Sequence, residues 1–163
     1  MNKDFILEAI EMFATQAHEG QMRKYIKEPY INHPIEVAKL IKDKDGSFEQ
    51  IAAALLHDVI EDTHVSVEGL RVFLFEIVPS HADKILSIVV ELTDVYTKEN
   101  FPELNRKKRK QLEAERLGKV SQDAKKVKLC DIAHNTHSIA AHDPKFFKVY
   151  HEEIMFLLEK LED

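Results

Sequence analysis

A chain of 163 residues with one cysteine, no tryptophan, four glycines and five prolines is poor in the residues that staple, turn or interrupt a backbone. The lone Cys130 excludes an internal disulfide and any multi-cysteine zinc site, so the fold must stand on its core in a reducing compartment, which makes the cytoplasm the expected location. Scarce glycine and proline beside a Leu/Ile/Val/Lys/Glu-rich remainder predict mostly helix. No apolar run approaches the ~20 residues of a membrane span, and the opening Met1, Asn2, Lys3 and Asp4 lead into an amphipathic stretch rather than a secretion signal. A protein that is neither exported nor membrane-bound is the expectation. The formal charge of −6 argues against a nucleic-acid partner, because holding a phosphate backbone needs a net basic face.

What the chain does contain is helical periodicity. Apolar residues recur at three- and four-residue spacing over 4–18, and Gly20 sits where that helix would stop. Residues 21–32 lack a period and contain Pro29, so they read as a loop ending in His33 and Pro34, with Pro34 suited to the first position of the next helix. A third helix over 48–62 is nearly apolar all round before His57 and belongs inside a bundle. Further helices are predicted over 66–79, 81–92, from the basic run Arg106, Lys107, Lys108, Arg109 and Lys110 to Gly118, from the Ser121 cap to Asp143, and from Pro144 to Leu161. With no internal repeat, linker or break in composition, residues 1–163 read as one all-α domain, a bundle of seven or eight helices. The basic run suits either a solvated helix face or a phosphate-binding rim.

Four ionisable residues interrupt the apolar third helix. His57 and Asp58 are followed one turn later by Glu61 and Asp62, placing Glu61 over His57 and Asp62 over Asp58. Unpaired, such a cluster would cost several kcal/mol to bury, and a divalent cation removes that cost; the plain alternative is a helix end that has reached solvent. Imidazole and carboxylate together favour Mn, Fe or Zn over an all-oxygen calcium cage. Two further ligands stand out. His33 is held at a loop-to-helix junction before Pro34, and Asp131 breaks the apolar period of Val127, Leu129, Ile132 and Ala133. Each has an ordinary reading as well, a helix start for His33 and a surface carboxylate for Asp131.

In this order, His33, His57-Asp58 and Asp131 resemble the HD phosphohydrolase superfamily. Arg23-Lys24, Pro29-Tyr30-Ile31-Asn32-His33-Pro34, the segment Ala54-Leu55-Leu56-His57-Asp58-Val59-Ile60-Glu61-Asp62-Thr63, and Val127-Lys128-Leu129-Cys130-Asp131 with Asn135 are similar to the hydrolase domain of RelA/SpoT homologues. In particular they are similar to the stand-alone small alarmone hydrolases, the metazoan SpoT homologues among them. The resemblance implies a Mn²⁺ cofactor held by His33, His57, Asp58 and Asp131, and Glu61 and Asp62 as the catalytic pair that positions and deprotonates the attacking water. It assigns Arg23 and Lys24 to the guanine base and phosphates, and Asn135 to the nucleoside. Two positions that are often basic in that group are Ile132 and His137 here. The implied reaction is removal of pyrophosphate from the 3′ position of ppGpp or pppGpp, giving GDP or GTP. Hydrolysis of another phosphorylated nucleotide such as NADPH, or a non-catalytic alarmone sensor, are the alternatives. Because the chain ends at Asp163, where the family's synthetase domain would follow, hydrolysis without synthesis is expected. The sequence leaves open whether the protein is a homo-oligomer.

Overall fold

The computed structural model describes residues 2–162, and nine helices form among them. These are α1 (Lys3–Ala17), α2 (Asn32–Asp43), α3 (Phe48–Leu56), α4 (Val59–Asp62), α5 (Val67–Ile77), α6 (Ala82–Leu92), α7 (Arg106–Leu117), α8 (Gln122–His142) and α9 (Pro144–Glu162). Side-chain caps set many of the starts. Asn2, Ser47, Ser66, Asn105 and Ser121 each accept a backbone N–H from the first turn of the helix that follows, a bond worth about 1 kcal/mol. Ser47 and Gln50 close a full reciprocal box, the Gln50 N–H donating to Ser47 Oγ at 3.2 Å and the Ser47 N–H to Gln50 Oε1 at 2.9 Å.

The apolar α3 is the hub expected from its composition: it packs against α1, α2, α6 and α8, and Ala52, Ala53, Ala54 and Leu56 have no exposed surface. Small residues over 52–54 let its neighbours approach closely. A second, smaller apolar cluster joins Ala114 and Leu117 of α7, Ile132 of α8, and Leu157 and Leu161 of α9. The long α8 therefore serves both clusters, with Val127 and Cys130 in the larger and Ile132 in the smaller.

The count exceeds seven or eight because the helix expected over 48–62 is split at His57 and Asp58. The Ala54 carbonyl accepts the His57 side-chain Nδ1–H at 2.8 Å, which competes with the backbone ladder at that point. Asp58 takes up φ −97°, ψ −5°, the sparsely populated bridge conformation in which many active-site residues are found. The second helix also begins earlier than expected, at Asn32, with Pro34 in its first turn, where a missing N–H costs no helical bond. Before it, residues 21–31 form the expected loop. It is closed by a bridge between Met22 and Pro29 and by N–H donation from Arg23 to the Glu28 carbonyl and from Tyr30 to the Gln21 carbonyl, both 2.9 Å.

Candidate functional site

Three parts of the fold converge on one buried point. His33 comes from the first turn of α2, His57 and Asp58 from the break between α3 and α4, and Asp131 from the middle of α8. His33 Nε2 lies 3.1 Å from Asp131 Oδ1 and 3.7 Å from Asp58 Oδ2; His57 Nε2 lies 3.2 Å from Asp58 Oδ2 and 3.7 Å from Asp131 Oδ1. Each imidazole thus turns Nε2 inward toward both carboxylates. Ligand atoms of His33, His57 and Asp58 all fall within 4.8 Å of one another, with Asp131 completing the group through the contacts just given.

The donor set fits a divalent cation. His57 spends its Nδ1 on the Ala54 carbonyl, yet its Nε2 is fully buried without a hydrogen-bond partner. A buried ring nitrogen with no partner, aimed at two carboxylates, is the arrangement in which imidazole binds a metal while its other nitrogen is anchored. Burial opposes a charge on His57, but Asp58 and Asp131 outweigh it and push the ring up to about 9. Burial likewise opposes a charged Asp131, and Lys128 together with the two histidines holds that carboxyl well below the usual range. The cluster is therefore strongly attractive to positive charge.

Around it lies a layer of groups that orient the candidate ligands. The Tyr30 hydroxyl sits 2.7 Å from Asp58 Oδ2 and 3.1 Å from Asp62 Oδ2, and burial beside Asp58 keeps that phenol protonated and donating. Asn135 Nδ2 donates to Asp131 Oδ1 at 2.7 Å, and Lys128 Nζ to Asp131 Oδ2 at 2.9 Å. His33 Nδ1 and His134 Nδ1 lie 2.7 Å apart, within hydrogen-bond distance. Burial, then the nearby His33 and Arg23, lower the affinity of His134 for a second proton. The buried His18 takes a structural part: its Nδ1 bonds Gln21 Oε1, and the Gln21 amide donates to the Asp62 carbonyl at 2.6 Å, tying the 21–31 loop to α4.

Glu61 and Asp62 stand beside the cluster at the end of α4. Loss of hydration, reinforced by Asp94 and Asp58, pushes the Glu61 carboxyl up to about 7, while the Asp94 N–H it accepts at 3.1 Å pulls the other way. Asp62 is also raised, by burial first and by Asp58 second, against the Tyr30 hydrogen bond. Both carboxyls are thereby better proton acceptors than free side chains, as general-base chemistry requires.

Of the residues expected at a nucleotide, Asn135 and Arg23 line different cavities and Lys24 lines neither. Asn135 lines one of about 110 Å³ together with Asp131, Asp94, Lys110, Lys128 and Tyr150. Arg23 lines another of about 150 Å³ that reaches His33, with His134 and His137. The Arg23 guanidinium lies 5.9 Å from the Tyr30 ring, and Lys24 Nζ lies 4.9 Å from the Tyr25 ring and 5.5 Å from that of Phe146. In the basic run, Lys110 faces the first cavity and pairs with Asp94 at 3.1 Å, whereas Arg106 is engaged by Glu153 at 2.7 Å and Arg109 donates to the Leu104 carbonyl. Ile132 is buried in the smaller apolar cluster. Sequence reading missed Tyr150, Asp94 and the orienting parts of Tyr30, Lys128 and His134. Of these, Lys128 carried a usable signal, one helical turn before Asp131.

An all-helical fold with a His, a His-Asp pair and a distant Asp around one point defines the HD class, and the HD domain family matches residues 11–157; the chain belongs to that family. Within it, the chain is similar to guanosine-3′,5′-bis(diphosphate) 3′-pyrophosphohydrolase MESH1 of Xenopus tropicalis, with 37% identity covering 86% of this chain and 72% of the relative. The Homo sapiens MESH1 is 34% identical over the same shares of the two chains. A guanosine-3′,5′-bis(diphosphate) 3′-pyrophosphohydrolase of Haemophilus influenzae is 34% identical over 82% of this chain, which spans 18% of that longer protein. Among solved structures, a metazoan ortholog of SpoT described as hydrolyzing ppGpp superposes with a TM-score of 0.78 at 26% identity, covering 96% of this chain and 85% of the other.

Proposed function

We propose that this protein hydrolyses guanosine 3′,5′-bis(diphosphate), removing pyrophosphate from the 3′ position of ppGpp or pppGpp to leave GDP or GTP. The observation that carries the reading is the convergence of two imidazoles and two carboxylates on one point, with a partnerless His57 Nε2 aimed into it, beside two carboxyls whose proton affinity is raised. The names of its relatives support the substrate. In this reading His33, His57, Asp58 and Asp131 hold a divalent ion, Mn²⁺ by preference. When bound, such an ion lowers the pKa of water and neutralises phosphate oxygens.

The chain's own groups do the rest. Asp62 or Glu61 accepts the proton of the attacking water, whose oxygen bonds to the phosphorus carried by the 3′ oxygen. The bond between that phosphorus and the 3′ oxygen breaks, the 3′ oxygen takes up a proton from the carboxyl or from solvent to become the 3′ hydroxyl of GDP or GTP, and pyrophosphate departs. Tyr30 fixes Asp62 against Asp58 so that the acceptor is in place beforehand. Lys110 and Lys128 supply positive charge on the cavity beside Asp131, where phosphate oxygens gain most from it. Arg23 offers a planar face for a purine and Lys24 a point charge for phosphate. No helix among the described residues is long and apolar enough to cross a membrane.

The test is a product-release assay with Mn²⁺, Mg²⁺ or Zn²⁺ and a panel of ppGpp, pppGpp, NADPH and GTP. Fastest release of pyrophosphate from ppGpp with Mn²⁺ is expected. Preference for NADPH would move the substrate within the same chemistry, and tight ppGpp binding without turnover would make the protein a sensor.

A further inference from the structure

The two candidate histidine ligands are oriented by different means. His57 is anchored to a backbone carbonyl, that of Ala54, which no side-chain change removes. His33 has only another side chain behind it: its Nδ1 stands 2.7 Å from His134 Nδ1, the rings 4.9 Å apart and tilted by 38°. Two ring nitrogens at that distance hold one proton between them. If His33 is to offer a lone pair at Nε2 toward Asp58 and Asp131, its proton must sit on Nδ1, and His134 must accept it with a bare Nδ1. The opposite arrangement, with His134 donating and His33 carrying Nε2–H toward Asp131, blocks the ligand position.

We infer that His134 is a positioning residue for His33, selecting by hydrogen-bond acceptance the tautomer and ring orientation in which His33 Nε2 can ligate the ion. The inference rests on the reading of His33, His57, Asp58 and Asp131 as ligands. A carbonyl or carboxylate usually accepts the outer proton of a ligating histidine; here the acceptor is a neutral imidazole three residues beyond Asp131 on α8. The same helix therefore delivers one ligand and orients another. His134 is only half-buried, with one side on the cavity shared with Arg23 and His137, so its replacement need not disturb the core.

Zinc, as a diamagnetic probe, separates the outcomes. Calorimetric Zn²⁺ titration of the wild type, His134→Phe and His134→Gln is paired with nitrogen NMR of the zinc-loaded, histidine-labelled protein. His134→Phe keeps a planar ring without an acceptor and is expected to weaken zinc binding by about 10–100-fold, the range seen when an outer partner of a ligand is lost. His134→Gln, whose side-chain carbonyl can accept, is expected to restore most of the affinity. In the wild type the proton should reside on His33 Nδ1 and show through-hydrogen-bond coupling to His134 Nδ1. A zinc affinity in His134→Phe equal to wild type, or a proton on His134 Nδ1 in the zinc-loaded protein, overturns the inference while leaving the ligands in place. Failure of the wild type itself to take up zinc overturns the ligand reading and the inference with it.

Discussion

At Tyr30 a single oxygen atom touches both halves of the chemistry, Asp58 among the candidate ligands and Asp62 among the candidate bases. Tyr30→Phe is expected to keep metal content and fold while lowering kcat about tenfold or more, since a hydrogen bond to a charged group is worth roughly 1.5–3 kcal/mol. Steady-state kinetics with metal analysis checks this, and unchanged kcat would reduce Tyr30 to packing. Asp62→Ala is expected to retain the ion and lose about 10²-fold or more in rate, the scale of a missing general base; near-normal turnover would show that the water needs no help from it. Arg23→Ala should raise KM for ppGpp more than it lowers kcat, because stacking on a base is felt equally before and during reaction. Asp62 was legible in the sequence because it interrupts an otherwise apolar helix, and Arg23 only through the resemblance that assigned it to the base. Orientation was not legible: that Asn135 points to Asp131 and Arg23 to a different cavity depends on which face of α8 the 21–31 loop crosses, and no local pattern encodes that. Tyr30 and His134 escaped for a related reason, since their partners lie 28, 32 and 101 residues away.

Helices were easier to read than side chains, and the places where reading fell short share a cause. The 48–62 segment has an unbroken helical period, and its interruption follows from one side-chain bond, His57 to the Ala54 carbonyl, which periodicity does not register. The start of α2 at Asn32 moved because the N–H groups of Asn32 and His33 bond carbonyls of the preceding loop, Pro29 and Tyr30, a tertiary detail added to a correctly placed proline. Where a capping side chain marks the boundary, as at Ser121, expectation and structure coincide. That helix start also carries a pH-dependent tie. Asp123 bonds Lys84 of α6 and accepts from Gln50 of α3 at 2.7 Å, and the Lys84 bond foremost holds its carboxyl below the ordinary value. A carboxyl with a lowered folded pKa adds stability above its unfolded pKa of about 3.9 and loses it as pH falls through the folded value. Asp123→Asn is therefore expected to melt below the wild type at pH 7, with the gap narrowing as pH drops under about 3.9. Thermal unfolding across that range checks it, and a gap independent of pH would assign the loss to something other than this charge.

On the scale of the whole molecule, an ion at the candidate centre would join α2, the α3–α4 break and α8, three segments distant in the chain. Saturating Mn²⁺ at about 100 times its Kd should raise unfolding stability by about 2.7 kcal/mol. Chelation should lower the melting temperature of the wild type and leave that of Asp58→Ala unchanged; equal responses would mean the ion binds elsewhere. The two apolar clusters of unequal size carry a different consequence. The cavity beside Asp131 is walled by Ala114, Leu117, Ile132 and Leu157 of the smaller cluster, while the sequence around the two candidate histidine ligands is rooted in the larger. Cooperative opening draws first on the part of a protein with the least buried apolar surface, so amide protons of α7 and α9 should exchange sooner than those of α3. The molecule is in that sense hinged by its own uneven durability: the wall beside Asp131 is expected to open more readily than the scaffold that aims the candidate ligands.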